Sequence, residues 1–174
     1  IYCNNIAYLE TAKNMGFTIH AGFGMNIANS YSIDMIENLG AVDTELSFEM
    51  KLSQISALSG KIRRGIVGYG RLPLMLTRNC PIKSQTGCKN CKKVLTDRKG
   101  AKFPVICKPD YAEILNCNTL WLGDKRGDIK GVDFITMLFY NETKDEIEKT
   151  INDFISEKNP PKDFTRGLYY RGVE

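Results

Sequence analysis

The sequence predicts an α/β fold with parallel strands, and three observations predict it. Short strand-like and helix-like pieces alternate through the first 70 residues, the loops between them are brief, and a strong apolar strand followed by an amphipathic helix recurs near the C-terminus. Parallel neighbours need a crossover connection, which a helix supplies. A (β/α) barrel and an open doubly wound sheet both fit this rhythm, and in either the chemistry belongs at the carboxyl ends of the strands.

Ile1–Cys3 reads as the end of a strand. From Asn5 to Met15, apolar Ile6, Leu9, Ala12 and Met15 recur at helical spacing, and Gly16 closes the helix. "FTIHAGFG" gives a short strand, Phe17–His20, running into a glycine loop. Ser32–Leu39 is helical through Ile33, Ile36 and Leu39, with Ser32 as its cap and Gly40 as its stop. Asp43–Ser47 is the next strand, Leu52–Leu58 another helix, and Ile66–Tyr69 a buried strand. Cys3-Asn4, His20, Glu49 and Tyr69-Gly70-Arg71 thereby fall just past strand ends.

Leu72–Leu122 breaks the pattern. It is long, basic, cysteine-rich and turn-rich, and reads as an insertion carrying its own site. "VDFITMLFY", Val132–Tyr140, restores a strand. Thr143–Ser156 is an amphipathic helix with Ile147, Ile151, Phe154 and Ile155 on one side, and "NPPKDFTRGLYYRGVE" is an irregular tail.

The bulk numbers exclude several classes. With 174 residues and 43% hydrophobic content the chain can bury a real core. No apolar run approaches the about 18–20 residues of a membrane span, so a membrane partner is not expected. The chain opens on Ile1 rather than Met, which reads as a fragment of a longer protein. Net charge is +4, but Lys83–Lys108 holds eight Lys or Arg against one acid, Asp97, a local +7 on an otherwise slightly acidic chain.

Four of the six cysteines, Cys80, Cys88, Cys91 and Cys107, fall in that same stretch, spaced C-x7-C-x2-C-x15-C. A chain of this size needs no disulfide staples, and no secretory signal argues for an oxidising compartment, so a metal held in a reducing cytoplasm is expected. Two residues between Cys88 and Cys91 let both thiols reach one metal, Gly87 eases the turn, and Pro81 stiffens Cys80. Four buried thiols or a disulfide pair are the plainer alternatives, but the segment is too polar to offer them a core. Zinc and an iron–sulfur cluster both accept four thiolates. Cys3 and Cys117 read as packing residues, with Cys117 an alternative to Cys107 as fourth ligand. The lysines either offset the thiolate charge, meet a phosphate backbone, or form an ordinary solvated face.

Other chemistries are absent. One histidine, His20, rules out the H-E-x-x-H zinc-protease motif. There is no G-x-S-x-G elbow and no P-loop; "GYG" and "GFG" are too short for a dinucleotide fingerprint, and "AVDTELS" lacks the glycine of an aspartic-protease loop.

At "YGRLPLMLTRNCP", the cysteine pair and "LTDRKGAKFPVIC", the chain resembles the collagenase-like peptidase family of unassigned catalytic type (the U-thirty-two peptidases). "IHAGFGMNIANS" is similar to the family's His-Gly-Asp-Phe-Gly-Leu-Asn stretch, and "LSFEM" to its Ser-Pro-Glu-Leu strand end. "YAEILNCNTLWLGD" and "FTRGLYYRGVE" are similar to its later motifs. The chain departs from the family at Ala21-Gly22, where Gly-Asp is usual, and at Asn116-Cys117 and Thr119, where Asn-Ser and Pro are usual.

The resemblance implies the second half of a TIM-barrel-like (β/α) fold with parallel strands and a Cys-rich insertion after the fourth strand. Residues 1–71 and 131–156 would form the partial barrel, 72–130 the cysteine-rich basic insertion and 157–174 the tail. It implies a 4Fe-4S cluster on Cys80, Cys88, Cys91 and Cys107, with zinc the alternative. It implies oxygen-independent hydroxylation of tRNA or rRNA bases in the cytoplasm, with the missing N-terminal half of the barrel as partner. His20 and Glu49 would handle protons, Arg71 would bind an anionic co-substrate or the substrate, and Asn26, Tyr69, Arg98 and Lys99 would contact substrate. The alternatives are a peptidase of the collagenase-like type and a non-catalytic half-barrel stapled by structural metal.

Overall fold

The computed structural model describes residues 1–158 and 160–173; the tail reading at Asn159 and Glu174 lies outside the described residues. The elements run β1 (Tyr2–Cys3), α1 (Leu9–Asn14), β2 (Ile19–Ala21), α2 (Ser30–Asn38), β3 (Ala41–Glu45), α3 (Leu52–Ser56) and β4 (Arg63–Gly70). There follow β5 (Pro73–Thr77), the single turn α4 (Lys83–Thr86), β6 (Val94–Thr96), β7 (Lys102–Cys107), β8 (Ala112–Leu115) and β9 (Thr119–Trp121). The chain closes with β10 (Phe134–Met137), α5 (Lys144–Ile155) and β11 (Phe164–Thr165).

Two compact units result. One comprises Ile1–Tyr69, Trp121–Pro161 and Arg166–Glu174; the other comprises Gly70–Leu120 and Lys162–Thr165. The first is α/β. Its strands are all parallel, ordered β1-β2-β3-β4, with β10 beside β4.

The apolar positions explain which face of this sheet is covered. Ile19, Ala21 and Ala41 are buried, as are Leu9 and Ala12 of α1, Ile33 and Ile36 of α2, and Leu52 and Ile55 of α3. Removing each Ile or Leu side chain from water contributes about 1.5–3 kcal/mol. Tyr69, Trp121 and Phe154 extend the core through edge contacts, with ring centroids 6.0 and 5.4 Å apart. Tyr169 is buried and its hydroxyl donates to the Val67 carbonyl at 2.8 Å.

Local rules set the helix ends. The cap of α2 is Asn29, three residues earlier than the expected Ser32; Ser32 is its capping-box partner, and its N–H donates to Asn29 Oδ1 at 2.9 Å. Helix α5 begins with a second box between Thr143 and Glu146. The Thr143 N–H and hydroxyl hold the Glu146 carboxyl below the usual range.

The second unit, which the sequence marks only as basic, cysteine-rich and turn-rich, contains a four-stranded sheet. Its strands are antiparallel in the order β5-β8-β7-β6. Ile82, Val105 and Ala112 form a small core against which Cys80, Cys91, Leu95 and Ile114 pack. The β6–β7 turn is closed by Asp97, whose Oδ1 accepts the N–H groups of Lys99 and Ala101, both at 2.8 Å. Within the same unit Thr119 and Leu120 of β9 pair in parallel with Phe164 and Thr165 of β11.

Candidate metal centre

The four clustered cysteines lie around one cavity in the second unit. Cys80 follows β5, Cys88 and Cys91 lie in the turn region after α4, and Cys107 ends β7. All four line one cavity of about 700 Å³, with Arg78, Lys83, Lys93 and Lys108 among its other walls. The β6–β7–β8 pairing achieves this. The strand ending at Cys107 pairs with β8, and Ile82, two residues after Cys80, packs into the same small core.

The backbone is arranged around the sulfurs. The Cys91 N–H donates to the Cys88 carbonyl at 3.4 Å, and the Lys93 N–H points to Cys91 Sγ at 3.3 Å. The N–H groups of Lys83 and Ile82 draw the Cys80 thiol below its ordinary pKa. Burial, then the charge of Cys80 beside it, push Cys107 up. A thiolate at Cys80 is therefore favoured by local dipoles, and a second one beside it is disfavoured unless a cation joins them.

The donor set fits a soft metal or an iron–sulfur cluster: four thiols on one cavity, amide hydrogens directed at sulfur, and cations around the wall. Among the described residues no three His, Cys, Asp or Glu side chains stand close enough together to grip a single ion. Cys117 is not on this cavity. Its Sγ faces Asn116 Oδ1 at 3.6 Å, and its carbonyl accepts from Arg71.

The other candidates are spread out. His20 lies in the middle of β2, one residue earlier than a strand end, with Nδ1 on Asp43 Oδ2 at 2.9 Å. Glu49 is exposed beyond β3 and shares a cavity of about 300 Å³ with Asn26, Lys51 and Gln54. Asn26 has a left-handed backbone, φ 51°, at the end of a single 3-10 turn, Phe23–Met25. His20 lines a different cavity from Glu49. Tyr69 is buried against Trp121 and Phe139. Arg71 belongs to the second unit and donates to the carbonyls of Asn116, at 2.9 Å, and Cys117. Arg98 and Lys99 are exposed in the β6–β7 turn.

Sequence reasoning did not single out Asp43, Glu45 or Arg63. Glu45 is buried, and its carboxylate accepts from the Tyr2 hydroxyl at 2.6 Å, the Phe23 N–H at 2.9 Å and the Thr136 hydroxyl. A signal existed: acids at alternate positions of an otherwise apolar strand, Asp43 and Glu45, face one side of a sheet. Among the described residues no helix is long and apolar enough to cross a membrane.

No family model, no curated protein and no solved structure matches the chain.

Proposed function

We propose that the chain is the C-terminal part of a collagenase-like peptidase family protein and works as an iron–sulfur-dependent enzyme of oxygen-independent hydroxylation, acting on tRNA or rRNA bases. Its parallel unit would be the second half of a TIM-barrel-like fold, partnered by the N-terminal half. The observation that carries the reading is the convergence of Cys80, Cys88, Cys91 and Cys107 on one cation-walled cavity. Those four residues would hold a 4Fe-4S cluster, which supplies one-electron chemistry when bound.

The chain's own residues have definable tasks around it. Arg78, Lys83, Lys93 and Lys108 offset thiolate charge. Arg98 and Lys99, exposed at the hairpin tip, are free to meet phosphate. Arg71 fixes the Asn116–Cys117 loop by donating one guanidinium nitrogen to two backbone carbonyls, and the rest of its fork would bind an anionic co-substrate or the substrate.

One observation favours a second reading, in which the metal is a staple. Cys80 and Cys91 pack against the unit's small core of Ile82, Val105 and Ala112, so a structural zinc there would add directly to folding. Anaerobic expression and reconstitution separate the two. A brown protein with broad visible absorption, lost in Cys88→Ser and kept in Cys117→Ser, is the expected result. A colourless protein that holds zinc and cleaves gelatin overturns the proposal in favour of the peptidase reading. Comparing base hydroxylation in RNA from cells with and without the gene then tests the substrate class.

A further inference from the structure

The parallel unit carries a second site that contains no cysteine. Register places Tyr2 opposite His20, His20 opposite Asp43, and Asp43 opposite Arg63, so one row crosses four strands as phenol, imidazole, carboxylate and guanidinium. Glu45 lies opposite Gly65, and Gly65 opposite Phe134, in the next row on the same face. All of these but Gly65, with Ala21 and Thr136, line one cavity of about 310 Å³.

Two glycines shape it. A Cβ at Gly65 would come within 2.1 Å of the Phe134 ring, and one at Gly22 within 2.4 Å of the Tyr2 ring. Both rings can lie across the sheet only because those positions lack side chains. Phe134 in turn carries the Arg63 guanidinium, 5.6 Å from its centroid.

The charges are unequally satisfied. Both Asp43 oxygens lie within 3.0 Å of His20 Nδ1, and Glu45 accepts three donors, from Tyr2, Phe23 and Thr136. Arg63 has its ring contact but no acidic partner among the described residues. With Nδ1 donating to the carboxylate, the imidazole is fixed in one tautomer and Nε2 keeps its lone pair for another molecule. Arg63 is therefore the cavity's cation without an acidic partner, beside two aromatic rings, and Asp43 and Glu45 are its two anions. Those two carboxylates would repel a dianion about twice as strongly as a monoanion.

We infer that this cavity binds a small organic monocarboxylate with a flat apolar body, its carboxylate paired with Arg63, its body against Phe134 and Tyr2, and a polar group within reach of His20. Arg63 suits this task because its planar fork matches a carboxylate. His20, oriented by Asp43, would donate or accept a proton on the bound molecule. The inference does not depend on the metal reading, because no thiol lines the cavity.

His20 is the chain's one histidine, so its ring signals report on this site alone. The test is a titration of the full-length labelled chain with benzoate, followed through the His20 imidazole resonances by NMR, with benzamide and acetate as comparison probes. Benzoate should shift them saturably at about 1 mM or tighter, with neutral benzamide and body-less acetate far weaker. Arg63→Gln should weaken benzoate about 10- to 100-fold, and Arg63→Lys should recover part of the loss. The same titration on Cys88→Ser should be unchanged, which keeps this result apart from the fate of the metal centre. No saturable shift with benzoate, or an equal response to benzamide, overturns the inference. If Arg63→Gln does not fold, the benzoate and benzamide comparison on the unaltered chain decides by itself.

Discussion

The Tyr2 hydroxyl donates to Glu45 Oε2 at 2.6 Å, tying the first strand of the parallel sheet to a buried carboxylate on the third. Burial, then that carboxylate, raises the phenol far above its ordinary pKa. Tyr2→Phe keeps the ring over Gly22 but withdraws one of the three donors Glu45 relies on. A hydrogen bond to a carboxylate contributes about 1.5–3 kcal/mol, and Tyr2 is half exposed, so water replaces part of it. The expected loss is about 1 kcal/mol in urea unfolding, against no measurable change for the exposed Tyr8→Phe. Equal values for the two variants would show that the bond is not formed in solution.

Arg166 and Asp124 make a two-pronged pair, with N–O distances of 2.6 and 2.7 Å, and one Arg166 nitrogen also donates to the Trp121 carbonyl at 2.6 Å. The guanidinium holds the Asp124 carboxyl below its usual range. A depressed folded-state pKa means the pair stabilises fully above the unfolded carboxylate value of about 3.9, and that stabilisation is lost as pH falls through the folded value. Arg166→Gln should therefore cost about 1–3 kcal/mol at neutral pH. Its deficit should shrink below about pH 4, leaving only the contribution of the carbonyl contact. Denaturation curves at several pH values check this; a deficit that stays constant down to the acid limit contradicts the charge-based account.

Arg71 also has a structural task that can be tested. One terminal guanidinium nitrogen donates to two adjacent carbonyls, Asn116 and Cys117, from a position that a lysine's ammonium on its different stem does not reproduce. Arg71→Lys should lower stability by about 1 kcal/mol while leaving the metal content of a reconstituted protein unchanged. Loss of metal with unaltered stability would contradict this loop-positioning task.

The parallel unit was legible because its helices carry apolar residues at helical spacing, as at Ile33 and Ile36, and because its strands are short and buried. Boundaries moved where side chains compete for the same backbone groups, as Asn29 and Ser32 do at the start of α2. The antiparallel sheet of the second unit was not legible. Leu74, Met75 and Leu76 of β5 are all exposed, and β7 alternates poorly around Pro104, so neither strand shows the period of two that marks a half-buried sheet. Cysteine spacing pointed to residues that share one cavity, because ligand spacing is a local property. The His20–Asp43–Arg63 row was hidden for the opposite reason. Its members come from three strands, and only register brings them side by side.

Gly65 offers the sharpest test of that row's construction. A methyl group there would stand 2.1 Å from Phe134 Cε2, far inside contact distance, on a strand that is buried from Gly65 onward. Gly65→Ala should destabilise by about 1–3 kcal/mol through overpacking. The clash has one named partner, so removing the ring should relieve it. Phe134→Ala alone should also cost stability, because it strips the Arg63 contact and the cavity wall. The double variant should then be more stable than the sum of the two single losses predicts, by at least about 1 kcal/mol. Urea unfolding of the four proteins gives that coupling directly. Strict additivity would mean that the ring does not lie over Gly65, and the flat aromatic wall of the proposed carboxylate site would go with it.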